Sequence, residues 1–284
     1  MSETAKKYYF TYEESDEKGA GPKELLERIL NDPDLLSVKD MTIGYWGECY
    51  DQGPQEIIDG IIANKDKFVH IERLFVGEMD YEECEVSWIN QGNYTELFTA
   101  LPNLKSLTIK GAQELVLGKE ISHKRLEKLE IICGGLGADV IRDVVAADLP
   151  SLKTLILYLG VENYGYDAGM DDLKPLLKKD RFPALTHLGL VDSEEQDEVA
   201  ELILESDIMP QLKILELSYG TLTDQGGQAI LDRAERLTGL EKLEIDHHYM
   251  TDEMVAALEK LPLTVEISDG QDADDDYKYP TLTE

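Results

Sequence analysis

Positive charge is scarce in this sequence. Its 284 residues hold 27 lysines and arginines against 59 aspartates and glutamates, a formal net charge of −32. A surface so acidic repels polyphosphate backbones and anionic lipid, so neither nucleic acid nor a membrane surface is an expected partner. It fits a soluble protein, or one that receives a basic partner. Cysteine is scarce too: Cys49, Cys84 and Cys133 are isolated, odd in number and form no C-x-x-C pair. That excludes a disulfide framework and fits a reducing compartment. No apolar run approaches the length of a membrane span. The start, MSETAKKYYFTYEES, lacks a basic stretch followed by an apolar one, so no signal peptide is expected and the reading is cytoplasmic. Enough apolar residues remain, 42%, for a continuous core.

Those apolar residues recur in one frame, L-x-x-L-x-L. It occurs as LKSLTIK at Leu104, LEKLEII at Leu126, LKTLILY at Leu152, LTHLGLV at Leu185, LKILELS at Leu212 and LEKLEID at Leu240. Weaker copies are VKDMTIG at Val38, IERLFVG at Ile71 and TVEIS at Thr264. Indexed on the second apolar residue, the copies fall at Met41, Leu74, Leu107, Leu129, Leu155, Leu188, Leu215, Leu243 and Val265. The steps of 33, 33, 22, 26, 33, 27, 28 and 22 residues are those of a repeat with loop insertions.

Each frame alternates like a short strand, with its inner apolar pair on one face. Helical patterns follow most of them, at PQEIIDGIIANKDKF from Pro54, ADVIRDVVAADL from Ala138, DDLKPLLKKD from Asp171, EVAELILES after Ser193 and TDEMVAALEKL from Thr251. Ser193 to Gln196 has the spacing of a capping box. The 22-residue step from Leu107 is too short for a helix, and an extended segment or single turn is expected there. The predicted fold is an α/β solenoid: parallel strands on a concave face, helices on a convex face, and leucine rows between. Strands about 4.8 Å apart and helices about 8–10 Å apart bend such a stack into an arc. Residues 1–35 are expected to cap it, 36–268 to form about nine repeats, and 269–284 to form a solvated or loosely docked acidic tail.

With these nine frames and LSYGTLTDQGGQAIL, Leu217 to Leu231, the chain resembles the leucine-rich repeat superfamily, in its ribonuclease-inhibitor-like α/β subclass. Leu217 and Leu222 match core positions of the family motif, and Asp224 with Gly226 or Gly227 matches its helix start. Gly220 stands where that motif has Asn or Cys, and Gly135 and Gly160 depart alike, so no asparagine ladder is expected. The segments SWINQGNY, LEIICGGLG, LYLGVENYGYDAG and LGLVDSEEQDEV also resemble a family of bacterial cytoplasmic leucine-rich repeat proteins. The resemblance implies a right-handed horseshoe and a non-catalytic protein-binding scaffold.

Candidate sites follow from that frame. GTLTDQGGQ resembles a phosphate loop, but it has no lysine and carries Asp224, so the repeat accounts for it better. Its glycines are expected to turn the chain. Exposed strand positions include Phe75, Ile132, Ile156, His187 and Ile214, and the turns beyond carry Tyr45, Trp46, Tyr158, Tyr164, Tyr166, Tyr219, His247 and Tyr249. Aromatic residues along a sheet and its rim suit recognition of a protein or peptide. The alternative is a small-ligand binder or hydrolase using the acidic, aromatic rim. Neighbouring strands would bring Glu216 and Glu244 near His187, but no nucleophile is marked. No metal or cofactor is expected, because adjacent strand residues such as His247 and His248 diverge and form no ligand pair.

Overall fold

A computed structural model describes residues 4–283. Its strands are β1 (Thr4–Tyr8), β2 (Val38–Ile43), β3 (Arg73–Val76), β4 (Ser106–Lys110), β5 (Lys128–Ile132), β6 (Thr154–Gly160), β7 (His187–Ser193), β8 (Ile214–Glu216), β9 (Lys242–His248) and β10 (Thr264–Gly270). They form one sheet in chain order. Every described pairing is parallel. Helices α1 (Tyr12–Lys18) and α2 (Pro22–Leu30) follow β1; α3 (Gln55–Ala63) and α4 (Leu97–Ala100) follow β2 and β3. After β5 to β9 come α5 (Ala138–Ala146), α6 (Met170–Leu173), α7 (Gln196–Glu205), α8 (Asp224–Asp232) and α9 (Asp252–Leu258). This is an α/β fold of alternating strands and helices, compatible with a solenoid. Among the described residues no helix is long and apolar enough to cross a membrane.

The chain divides into two compact units. One runs to Ile132 and takes in Ala146–Ser151; the other comprises Cys133–Val145 and Leu152–Thr283. The division falls inside residues 36–268, which the repeat pattern alone treats as one. In the first unit the index residues Met41, Leu74, Leu107 and Leu129 pair in register across β2 to β5 and are buried. In the second, Leu155, Leu188, Leu215, Leu243 and Val265 do the same across β6 to β10, and all but Val265 are buried. Each buried leucine contributes roughly 1.5–3 kcal/mol, so such a row is the main reason the strands keep this register.

One expectation changes, one is met, and one is narrowed. The pattern from Asp171 gives only the single turn of α6, because Pro175 lacks an N–H and crowds the preceding backbone. No helix lies between β4 and β5, as expected; Asn90 and Asn93 bridge to Gln113 and Val116 instead. Of the two states expected, the tail is docked: Pro280 is buried, and residues 279–282 bond to the end of β7 and to the turns beyond β8 and β9.

Carboxylates tie successive repeats together at the helix starts. Asp197 Oδ1 accepts the Thr223 and Gly226 amides at 2.8 and 3.0 Å, and its Oδ2 accepts Thr223 Oγ1 at 2.6 Å. One repeat on, Asp224 takes the Thr251 amide and hydroxyl at 2.8 and 2.9 Å. Thr223 and Thr251 cap α8 and α9 with the same hydroxyls. Asp224 thus serves the next repeat as well as opening its own helix. The glycines of DQGG do not turn the chain, because both lie within α8. A Cβ on Gly226 would meet Asp197 Oδ1 and Leu222 Cδ1 at 2.5 Å, and one on Gly227 would meet Met254 Cγ at 2.6 Å. They are small because neighbouring repeats press against them.

Candidate functional site

The first unit's candidates do not form a surface. Trp46 is fully buried with Nε1 donating to Gln52 O at 2.7 Å, and Tyr45 is 5% exposed. Their expected exposure is not found, since the turn after β2 folds inward and uses both rings as core. Phe75 is half-buried at its outward strand position. The cysteines are all free and buried.

The second unit gathers the rest. Tyr158 and Tyr219 stack, with ring centroids 5.7 Å apart and planes within 12°. Tyr164 is half-buried in the turn Glu162–Tyr164. Tyr166 is nearly buried, and burial pushes its phenol up to about 12. His247 and Tyr249 pack edge to face at 5.5 Å, and the tail covers them. The expected exposure of these three residues is therefore not found. Ile156 is buried as well, lying against Gly189 on the neighbouring strand.

Four residues after each of the last four index positions, the chain enters the left-handed region without glycine: Asp192 (φ 58°), Tyr219 (69°), His247 (58°) and Asp269 (52°). Such residues are uncommon, and for a bulky side chain the conformation carries strain. Since the strands are in register, these four form one row. The tail runs along it. Tyr279 donates its amide to Tyr249 Oη at 3.0 Å, and its carbonyl accepts from Tyr249 Oη at 3.2 Å and faces His247 Nε2 at 3.1 Å. Thr281 N donates to Tyr219 O at 2.7 Å, and Leu282 N to Asp192 Oδ1 at 2.9 Å. Asp192 is fully buried, and that burial raises its carboxyl to about 8 against the opposing pull of the Leu282 and Thr281 amides.

Lower on the same strands, His187 meets two carboxylates. Its Nε2 lies 3.4 Å from Glu216 Oε2 and 3.9 Å from Glu244 Oε2. Lys242 pairs with the other oxygen of Glu244 and, at 2.6 Å, with Glu266.

Set beside solved structures, the chain is similar to a crystal structure of a protein from Bacteroides fragilis, determined as a structural-genomics target. The two share 43% sequence identity and superpose with a TM-score of 0.91, over 99% of this chain and 78% of that one. This chain belongs to that protein's family. No protein-family model matches it, and no curated protein does. Family membership carries the fold and brings no activity with it.

Tyr158 with Tyr219, and His187 with Glu216 and Glu244, are neighbours as the strand order implies, whereas Asp192 and the tail were not among the expected site residues. The signal for Asp192 was partial: Asp or His, residues that tolerate the left-handed region, stands four places after Leu188, Leu243 and Val265, but not after the other index residues. That for the tail was weaker, because 271–284 contains no repeat frame and a single buried proline, Pro280, anchors it.

Proposed function

We propose that this chain is a non-catalytic scaffold that binds a protein or peptide partner as an extended segment along the row Asp192, Tyr219, His247 and Asp269. The observation that carries this is the tail: residues 279–282 lie on that row as a bound peptide would, with the tail's own amides donating to one backbone carbonyl and two side chains, and with one buried proline. Main-chain bonding supplies affinity in such recognition, and side-chain seats supply choice. The stack of Tyr158 on Tyr219 of the row is an aromatic surface of the kind that dominates binding energetics. A partner competes with the tail for the row. The net charge of −32 favours a basic one and disfavours nucleic acid and anionic membrane.

In this reading the repeats are leucine-rich repeats of the ribonuclease-inhibitor-like kind. They wind right-handed with the sheet concave and the helices convex, in a bacterial cytoplasmic protein whose buried thiols stay reduced. Competition tests the reading: a labelled peptide of residues 277–284 should bind a chain that ends at Asp276 and be excluded from the full chain. Equal binding to both, or none to a folded truncated chain, would overturn it.

A further inference from the structure

The strongest unassigned chemistry lies on the face of β7, β8 and β9. In the sheet register Gly189, Glu216, Glu244 and Glu266 share one row, and His187 stands two residues before Gly189 on the same face. Carboxylates on adjacent parallel strands sit about 4.8 Å apart, where like charges repel. Lys242 answers part of that repulsion by bridging Glu244 and Glu266. Glu216 is left facing the imidazole.

Gly189 makes the arrangement possible. A Cβ there would stand 3.3 Å from Glu216 Oε2 and 3.1 Å from Ile156 Cγ2. With only hydrogen at that position, Glu216 can fold in over β7 beside His187. The imidazole Nε2 is shut off from solvent and has no hydrogen-bond partner among the described residues, although Glu216 Oε2 is 3.4 Å away. A buried ring nitrogen aimed at two carboxylates without bonding either one is the geometry of ligands converging on something between them.

We propose that His187, Glu216 and Glu244 bind one divalent transition-metal ion of the zinc or manganese class. The three ligand atoms, His187 Nε2 and one oxygen from each glutamate, lie within 4.8 Å of one another. A metal with bonds of about 2.0–2.2 Å holds its ligands roughly 3–3.5 Å apart. The 3.4 Å separation already meets that; the 3.9 Å one, and the separation of the two carboxylates, which is bounded at 4.8 Å, close by rotation of the Glu244 side chain. Neutral imidazole and two carboxylates supply two negative charges, which balance a divalent ion. One nitrogen and two carboxylate oxygens suit such an ion better than calcium, which takes six to eight oxygens, or copper(I), which prefers sulfur. Three protein ligands leave a further position for water, and the ligands stand on neighbouring strands of one sheet, which holds them in place. Lys242 orients Glu244 through its second oxygen.

Isothermal titration of the full chain with zinc chloride, and separately with manganese chloride, in a weakly coordinating buffer tests this. One ion per chain is expected, superposed on weaker uptake by the acidic surface. His187→Ala and Glu216→Gln should each weaken the stoichiometric site by about tenfold or more. Glu216→Gln is nearly isosteric, so it decides the matter if His187→Ala fails to fold by circular dichroism. Gly189→Ala, which keeps all three ligands but crowds Glu216, should weaken it too. Absence of one-to-one uptake of either ion by the full chain, or uptake that both ligand variants retain, would overturn the proposal.

Discussion

Asp192 Oδ1 accepts the backbone amide of Leu282 at 2.9 Å, across ninety positions of sequence. The bond ties the tail to the end of β7, to which no sequence pattern assigns it. It also buries a carboxyl that ionises only near pH 8. The native state therefore holds a proton on Asp192 that the unfolded chain gives up near pH 4. Between those values the native state binds more protons, so this group's contribution to stability falls as pH rises, by up to about 1.4 kcal/mol per pH unit.

Asp192→Asn removes that dependence while keeping an acceptor for Leu282 and a residue that tolerates a positive φ. The variant should melt higher than the parent at pH 8, and the gap should shrink towards pH 5. Calorimetry over that range checks it. A constant gap would mean that Asp192 is not protonated in the native state.

Removing the Asp197 carboxylate should cost about 2 kcal/mol or more. Asp197→Ala leaves the Thr223 and Gly226 amides and the Thr223 hydroxyl without their shared acceptor. Urea unfolding measures the loss, and Asp197→Asn should recover part of it. A loss below about 0.5 kcal/mol in the alanine variant would show that the ladder between repeats contributes little.

Leu215→Ala should cost about 2–5 kcal/mol, as a buried leucine in the register row of the second unit. Tyr158→Ala, at a half-buried position, should cost clearly less. Equal losses by urea unfolding would contradict the assignment of one to the core and the other to the surface.

Gly226→Ala sets two effects against each other. Alanine favours a helix by about 1 kcal/mol, but its Cβ would press on Asp197 and Leu222 at 2.5 Å. Overpacking of this kind typically costs about 1–3 kcal/mol, so net destabilisation is expected. A gain in thermal stability would mean that the repeats yield at this point.

These residues show which parts of the molecule were legible in advance. The index row was, because an inner apolar pair every 22–33 residues has one economical burial and Leu188, Leu215 and Leu243 do pair side by side. Helix lengths were less so: Pro175 stops α6 where the apolar pattern continues. Exposure was the least legible. Tyr45, Trp46, Tyr166 and Tyr249 stand in turns, where an aromatic ring can face water or fold in as local core, and composition does not separate the two. The approach of Glu216 and Glu244 to His187 was legible from strand order, but the room that Gly189 leaves for Glu216 is a contact between strands that becomes evident once the register is known.

The most direct measurement of the central claim is fluorescence anisotropy of a labelled peptide of residues 277–284 against three folded proteins: the full chain, a chain ending at Asp276, and that shorter chain carrying Tyr249→Phe. Saturable binding to the shorter chain is expected, with exclusion from the full chain and weakening by about three- to tenfold on loss of the Tyr249 hydroxyl that bonds Tyr279. No saturable binding to the shorter chain, or binding indifferent to both the resident tail and Tyr249, would contradict it.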